Sequence, residues 1–255
     1  MFRKILKIVG WLLLLAFLGF TFWFTKQELK KVTCQNVSIQ IMDGSPRYLN
    51  ENDILELVQK ADNSILGKNL NSINTDELEK KLRAAESIKS AEVYRRISNE
   101  SLRFKGKLIV EIEERNPIIR FKTDMEDYYM DEMGAKIQAS SKFTSKVLLV
   151  TGSVNDPIAT KEILAFAGYV YSNLFWKAQL EQVLVKPNNE LFIIPQVGDH
   201  VIQFGTAANY KEKLRNLKAV YQEAFNKTGW EKYDTLNLKY KNQVVCNKIK
   251  DYGQK

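Results

Sequence analysis

Between Ile8 and Phe24 the chain carries no charged side chain. Those 17 residues, at about 1.5 Å each, span roughly 25 Å, enough to cross a thin or locally thinned hydrocarbon core. Ile5 and Leu6 extend the run, with Lys7 reaching back to the interface. Trp11 and Trp23 stand near its ends, where amphipathic rings prefer to sit. A cleaved signal peptide needs a shorter core and a small-x-small exit, whereas this run ends in the bulky Thr21-Phe22-Trp23-Phe24-Thr25. The pattern is that of an uncleaved transmembrane helix.

The period then shortens. Residues 32–42 alternate and are rich in β-branched side chains, which predicts a strand. Asp43-Gly44-Ser45-Pro46 breaks it, and Asn50 begins a helix whose apolar face is Ile54, Leu55, Val58 and Ala61. A second helix starts from Asn74 with Glu77 three residues on, and carries Leu78, Leu82 and Ala85 on one stripe. Strands follow over 88–97 and 107–115, separated by a polar excursion over 98–106. The order is β-α-α-β-β. Each helix has one apolar stripe, so both should cover one face of a three-stranded sheet.

Beyond Pro117 the runs are short and bounded by turns: IIRFKT, DYYMDEMGAKIQ, KVLLVTG, LEQVLVK, ELFIIPQ and HVIQFG. They predict a mostly antiparallel sheet. Two helices interrupt it. One spans 157–174, entered through Asp156-Pro157, and buries Ile163, Ala167, Val170 and Leu174. The other spans 209–227, with Leu214, Leu217, Tyr221 and Ala224 inward, and ends in Thr228-Gly229, with glycine suited to a left-handed cap. Last comes TLNLKYKNQVVCNK, a strand, a tight turn and a second strand.

The fold class is therefore α+β: a single N-terminal transmembrane helix, a β-α-α-β-β module, and a mostly antiparallel β domain with two helices. The predicted division is a short cytoplasmic head over 1–7, the transmembrane helix over 8–24, a linker over 25–31, the module over 32–115, the β domain over 116–250 and a tail over 251–255.

Charge adds less. The net charge is +8, and residues 205–255 hold eleven Lys and Arg against five Asp and Glu. That excess is either a solvated surface or a site for an acidic partner or an anionic membrane. No recognition motif supports nucleic acid. Arg3, Lys4 and Lys7 before the span balance Lys26, Lys30 and Lys31 after it, so charge leaves orientation open. A short head before one large body is the plan of a signal anchor, which places 25–255 outside the cytoplasm.

Candidate chemistry is sparse. Cys34 and Cys246 form no CxxC pair and read as free thiols in strands. His200, the one histidine, follows Gly198-Asp199 and reads as a surface residue beside a turn. No metal, cofactor or nucleotide motif is present in the sequence. EIEERN and DMEDYYMDEMG offer carboxylates of the type glycosidases pair. Alternation places Glu111 and Glu113 on an exposed face, and Asp131 reads as part of a turn into the next strand, with Gly134 supplying a positive φ. The sequons at Asn36, Asn99 and Asn226 matter only in a glycosylating secretory pathway.

Several motifs, in order along the chain, carry a resemblance. IKSAEVYRRI…KLIVEIEERNPIIRF ends in Glu114-Arg115-Asn116-Pro117; Tyr129, Asp131 and Gly134 follow in a hairpin; Phe204, Gly205, Lys213, Leu214 and Leu217 enter a helix. The module resembles a POTRA domain, and the ordered set resembles the FtsQ/DivIB bacterial cell-division proteins. The chain departs from that pattern in three places. The 98–106 excursion is longer than the usual turn, Lys239 stands where many members carry arginine, and Asn242-Gln243 replaces a glycine after Tyr240.

The resemblance implies a non-enzymatic divisome protein of the cytoplasmic (inner) membrane, located at the septum. It would join two single-span partners, FtsB and FtsL, and help regulate septal cell-wall synthesis. Other divisome proteins could be recruited through the POTRA-like domain. Carried over by motif, partner binding falls on Lys239, Tyr240, Asn242, Gln243, Val244 and Val245, by addition of a strand to an exposed edge. Two other classes compete. A POTRA protein of outer-membrane transport needs a C-terminal barrel or repeated POTRA units, and a membrane-anchored extracytoplasmic enzyme needs an acid/base pair in a pocket.

Overall fold

The computed structural model describes residues 2–100, 103–139, 144–154 and 157–249. The tail over 251–255 and Asp156, read above as a helix cap, lie outside the described residues. The chain divides into two compact units, one ending at Glu114 and the other beginning at Arg115.

The first unit opens with α1 (Phe2–Lys30). Its stretch Val9–Lys30 is long and apolar enough to cross a membrane, and the rest of the protein buries none of it. Then come β1 (Cys34–Ile41), α2 (Glu51–Ala61), α3 (Thr75–Arg83), β2 (Ile88–Glu100) and β3 (Arg103–Glu114). The sheet order is β1-β3-β2, with β1 parallel and β2 antiparallel to β3. Both helices cover one face, as their single stripes require. Ile54 and Val58 of α2 and Leu78 and Leu82 of α3 meet Ala91, Val93, Leu108, Val110 and Ile112 of the strands.

Local chemistry sets the helix starts. Asn50 Oδ1 accepts from Asp53 N at 3.0 Å, and Asp53 Oδ2 accepts from Asn50 N at 3.1 Å, a reciprocal capping box. Asn74 Oδ1 accepts from Glu77 N at 3.2 Å, while the Glu77 carboxylate turns to Lys81 at 2.8 Å.

Within the excursion expected over 98–106, the described residues are strand rather than loop. β2 and β3 stay paired through Ser98↔Lys105, Asn99↔Phe104 and Glu100↔Arg103. The polar residues there continue the ladder rather than break it. Glu111 and Glu113, expected on an exposed face, are half-buried, and Glu113 accepts from Lys89 at 2.7 Å and Ser90 Oγ at 3.0 Å.

The second unit contains β4 (Pro117–Lys122), β5 (Asp127–Asp131), β6 (Lys136–Gln138), β7 (Leu148–Gly152), α4 (Pro157–Ser172), α5 (Leu174–Gln179), β8 (Leu180–Val185), β9 (Leu191–Pro195), β10 (Val201–Gly205), α6 (Tyr210–Ala219), β11 (Tyr233–Asn237) and β12 (Val245–Lys248). They build one sheet in the order β12-β11-β10-β9-β8-β7-β4-β5-β6. Pairing is mostly antiparallel; β4/β7, β7/β8 and β10/β11 are parallel. The helices cover one face, where Ile163, Phe166, Val170, Leu214 and Leu217 pack on Phe121, Val150, Val183, Ile193, Ile202, Phe204 and Leu236.

Several expectations change here. The helix expected over 157–174 ends at Ser172, because Asn173 Oδ1 accepts from Phe175 N at 3.1 Å and Trp176 N at 3.3 Å and starts α5 instead. Leu174, expected inward, is 86% exposed as the first residue of that helix, and Trp176 is buried in its place. The helix expected over 209–227 passes after Ala219 into a π-helical segment, Val220–Phe225. Its wider turn brings Phe225 fully inside while Ala224 is only half-buried. Gly229 does have a positive φ, 90°, but its ψ of 148° is extended rather than left-handed helical. His200, expected at the surface, is 1% exposed.

Candidate partner-binding edge

The second sheet ends at β6 on one side and β12 on the other. Among the described residues no strand pairs with the outer side of β12. The direction of its backbone groups follows from two hydrogen bonds. Leu238 N donates to Gln203 O at 2.9 Å, so along β11 the amides of even-numbered residues near Leu238 face β10. Thr235 and Asn237 therefore face β12, opposite Asn247 and Val245. Ile249 N donates to Lys232 O at 3.0 Å, which gives the same parity from the other strand. The peptide groups of Cys246 and Lys248 are thus directed outward, unused by the hairpin.

Side chains alternate on the same strand. Cys246 is half-buried against the core, as is Val244 before the strand begins. Burial raises the Cys246 thiol above its ordinary value. Val245, Asn247 and Lys248 are exposed. Both thiols are free, Cys34 in β1 and Cys246 in β12.

The residues singled out from sequence fall mostly before the strand. β11 ends at Asn237, so Lys239 and Tyr240 belong to the connection between β11 and β12, not to a strand. Asn242 takes φ +59°, which makes it the turn residue. Gln243 and Val244 lead out of the turn, and only Val245 lies within β12. Asn237 shapes the exit: its Oδ1 accepts from Lys239 N at 3.0 Å, and its Nδ2 donates to Gln203 Oε1 at 3.1 Å. Tyr240 is 53% exposed. Lys239 is already engaged: its Nζ donates to Glu190 Oε1 at 3.0 Å, and this bond holds the Glu190 carboxyl below its usual range.

Two groups of residues hold this edge in place. At the end of β10, Lys213 Nζ donates to Phe204 O at 2.9 Å and Thr206 O at 2.7 Å, and lies over the Phe204 ring. Burial pulls the Lys213 amine down. Gly205, with φ +73°, leaves room for the Lys239 stem, which passes 3.0 Å from where a Cβ would stand. This is the local meaning of Phe204, Gly205 and Lys213. At the start of β11, Tyr233 stacks on Phe225 with ring centroids 5.4 Å apart. Behind it Phe225, Trp230, Tyr221 and His200 form one aromatic cluster. His200 Nε2 is 2.8 Å from Tyr221 Oη, and its Nδ1 is buried with no partner among the described residues. Burial lowers the His200 pKa against the opposing pull of Asp199, and raises that of the Tyr221 hydroxyl.

A recess of about 190 Å³ lies elsewhere in the same unit, lined by Ile118, Tyr171, Lys146, Lys177, Glu181 and Gln196 among others. Lys177 sits over the Tyr171 ring at 3.9 Å. Among the described residues no three His, Cys, Asp or Glu side chains gather as metal ligands.

Sequence reasoning missed the Lys239–Glu190 bond, because the partners are far apart in sequence and meet only through sheet order. It also missed the burial of His200. The aromatics of 221–233 were the available signal, since a histidine among them has an apolar place to go.

Residues 116–247 match the family described as FtsQ/DivIB, C-terminal related, and residues 32–101 match the POTRA-like domain. No match is found among curated proteins.

Proposed function

The chain belongs to the FtsQ/DivIB C-terminal related family, whose domains are non-catalytic scaffolds of cell division, and from that membership we propose a non-enzymatic assembly protein that binds FtsB/FtsL-like single-span proteins through β12. In this reading α1 is a single-pass anchor in the bacterial cytoplasmic membrane. Residues 1–7 are a cytoplasmic head and 8–24 the span. Residues 25–255 lie outside the cytoplasm, as linker 25–31, POTRA-like domain 32–115, β domain 116–250 and tail 251–255. The protein acts at the septum and helps regulate peptidoglycan synthesis there.

The observation that supports β12 as the site is the outward direction of the Cys246 and Lys248 peptide groups. An incoming strand would satisfy them while extending the nine-stranded sheet. Exposed Lys241 and Lys248 beside them keep the free edge soluble and favour a partner strand that carries carboxylates.

Lys248→Pro tests this. Proline removes the outward N–H and leaves the inward bonds of Asn247 and Ile249 in place, and prolines are tolerated on edge strands in that orientation. With the full chain in nanodiscs, capture of FtsB/FtsL-like ectodomains should weaken about ten-fold or more while the thermal midpoint stays within a few degrees. Unchanged capture by Lys248→Pro would sink the reading.

A further inference from the structure

Helices cover one face of the second sheet, and the pairing register lays out the other. From β7 to β12 that face consists of two rows of side chains across six neighbouring strands. One row is Thr151, Leu184, Phe192, Gln203, Asn237 and Val245. The other is Leu149, Gln182, Ile194, Val201, Thr235 and Asn247. No charged residue stands in either row.

Half of these positions are apolar, and they meet solvent. Ile194 is 40% exposed, Val201 37% and Val245 39%, while Leu149, Leu184 and Phe192 are half-buried. The polar side chains turn to one another. Gln182 Nε2 donates to Thr151 Oγ1 at 2.8 Å, and Asn237 Nδ2 donates to Gln203 Oε1 at 3.1 Å. Charges stand around the rows instead. Arg120 and Lys122 of β4 pair with Leu149 and Thr151 at one side. Glu181 and Asp234 fall at irregularities in the ladder near the starts of β8 and β11. Lys186 reaches over the Phe192 ring with its Nζ 5.4 Å from the centroid.

The first sheet shows what a solvated face carries in the same chain. Away from its helices, Glu92 stands opposite Glu111 and Arg96 opposite Lys107. Two neutral, half-apolar rows over six strands are a departure from that pattern, and exposed apolar surface of this kind marks a contact.

Charge selects the occupant. Partners of a chain with net charge +8 are drawn and sorted by acidic groups facing basic ones. A face without charge offers such a partner nothing to recognise. It does suit an identical face, because two copies of any strongly basic face would repel. Area agrees. Six strands about 4.8 Å apart and about 17 Å long present roughly 500 Å². Two such faces remove about 1,000 Å² from water, the lower bound for a specific contact.

We propose that this neutral face, centred on Phe192, Ile194 and Val201, is the contact between two copies of the chain. The two sheets pack face to face about a two-fold axis, so each copy supplies the same residues. Where α1 anchors both copies in one membrane, a contact of micromolar strength is enough to hold them together. The contact uses neither the outward peptide groups of β12 nor a cell-division partner, so it survives the failure of that reading.

The test is sedimentation equilibrium of the full chain in density-matched detergent. A monomer–dimer equilibrium should appear with a dissociation constant in the micromolar range. Ile194→Asp with Val201→Asp sets four carboxylates against one another in the dimer and should weaken it at least about ten-fold. Both positions are exposed in the single copy, so the thermal midpoint should stay within a few degrees. Ile194→Lys with Val201→Lys should act alike, and an equimolar mixture of the two variants should recover the dimer. Lys248→Pro, at the outer edge of β12, should leave the dimer intact. A chain that stays monomeric throughout the micromolar range overturns the proposal. So does a dimer that survives either double variant in a folded chain, which would place the contact elsewhere, or one that Lys248→Pro dissolves.

Discussion

Arg115 Nη1 stands 2.9 Å from Asp131 Oδ2, so the first residue of the second unit fastens the first hairpin of its sheet. Asp131 is buried and does more than pair. Its Oδ1 accepts from Met133 N at 3.0 Å and Ala135 N at 2.8 Å, which closes the β5–β6 turn. Asp131→Ala leaves a half-buried guanidinium and two amides without this acceptor, and should cost about 2–4 kcal/mol. Asp131→Asn keeps one acceptor and should cost less. Urea unfolding followed on the second unit measures both, and equal midpoints for the native chain and Asp131→Ala would refute the assignment.

Glu114, one residue earlier, works in the other unit. Its carboxylate accepts from Arg47 N at 2.6 Å and Leu49 N at 2.7 Å, with the Tyr48 amide as a further donor. Arg47 sits at φ +58°, a conformation that non-glycine residues rarely adopt, so the loop depends on this acceptor. Glu114→Gln sets an NH2 group against backbone N–H groups and should cost about 1–3 kcal/mol. The loss should appear in the unfolding of the first unit and leave the second unchanged. A shift shared equally by both units would contradict the division of labour between adjacent motif residues.

His200 gives the protein a pH-dependent stability of known sign. Burial holds it neutral in the fold, while the unfolded chain takes up a proton near pH 6.5. Below that pH the unfolded state binds more protons, so stability falls as pH drops from about 6.5 toward the lowered native value, by at most about 1.4 kcal/mol per pH unit. Asp199 opposes the effect and the Tyr221 hydroxyl, itself pushed up, does not titrate in the window. His200→Phe should remove this slope. It should also cost about 1–3 kcal/mol at pH 7.5, because Tyr221 Oη loses its partner. A variant that keeps the full slope between pH 5 and 7 would locate the titration elsewhere.

The fold was legible where one physical rule governed. The long uncharged run gave α1, and the 3.6 and 2 periods gave the β-α-α-β-β order and the covered face, because burial of Val58, Leu78, Leu82, Leu108 and Val110 decides those elements alone. The rest depended on competition between rules. The polarity of 98–106 reads as a loop, but cross-strand pairing carries β2 as far as Glu100 and β3 back to Arg103. The apolar stripe of 157–174 continues through Leu174, but the Asn173 cap ends the helix first. At the candidate edge, the alternation of 236–241 predicted a strand. Side-chain capping by Asn237 and the positive φ of Asn242 instead turn the chain before it can continue. Nothing local in a sequence reports that Lys239 will meet Glu190 across the sheet.

That meeting separates the two side chains that the resemblance singles out together. Lys239 is held by Glu190 at 3.0 Å and packs its stem against Gly205. A partner carboxylate must compete with an existing bond for it, and exposed pairs contribute little. Tyr240 is exposed, large and amphipathic, the kind of side chain whose burial dominates interfaces. If β12 receives a partner strand, Tyr240→Ala should weaken capture about ten-fold or more, whereas Lys239→Ala should change it less than about three-fold. Titration of FtsB/FtsL-like ectodomains against the full chain and each variant in nanodiscs decides the order. A larger loss for Lys239→Ala would mean that the lysine leaves Glu190 on binding and that the tyrosine stays outside the contact.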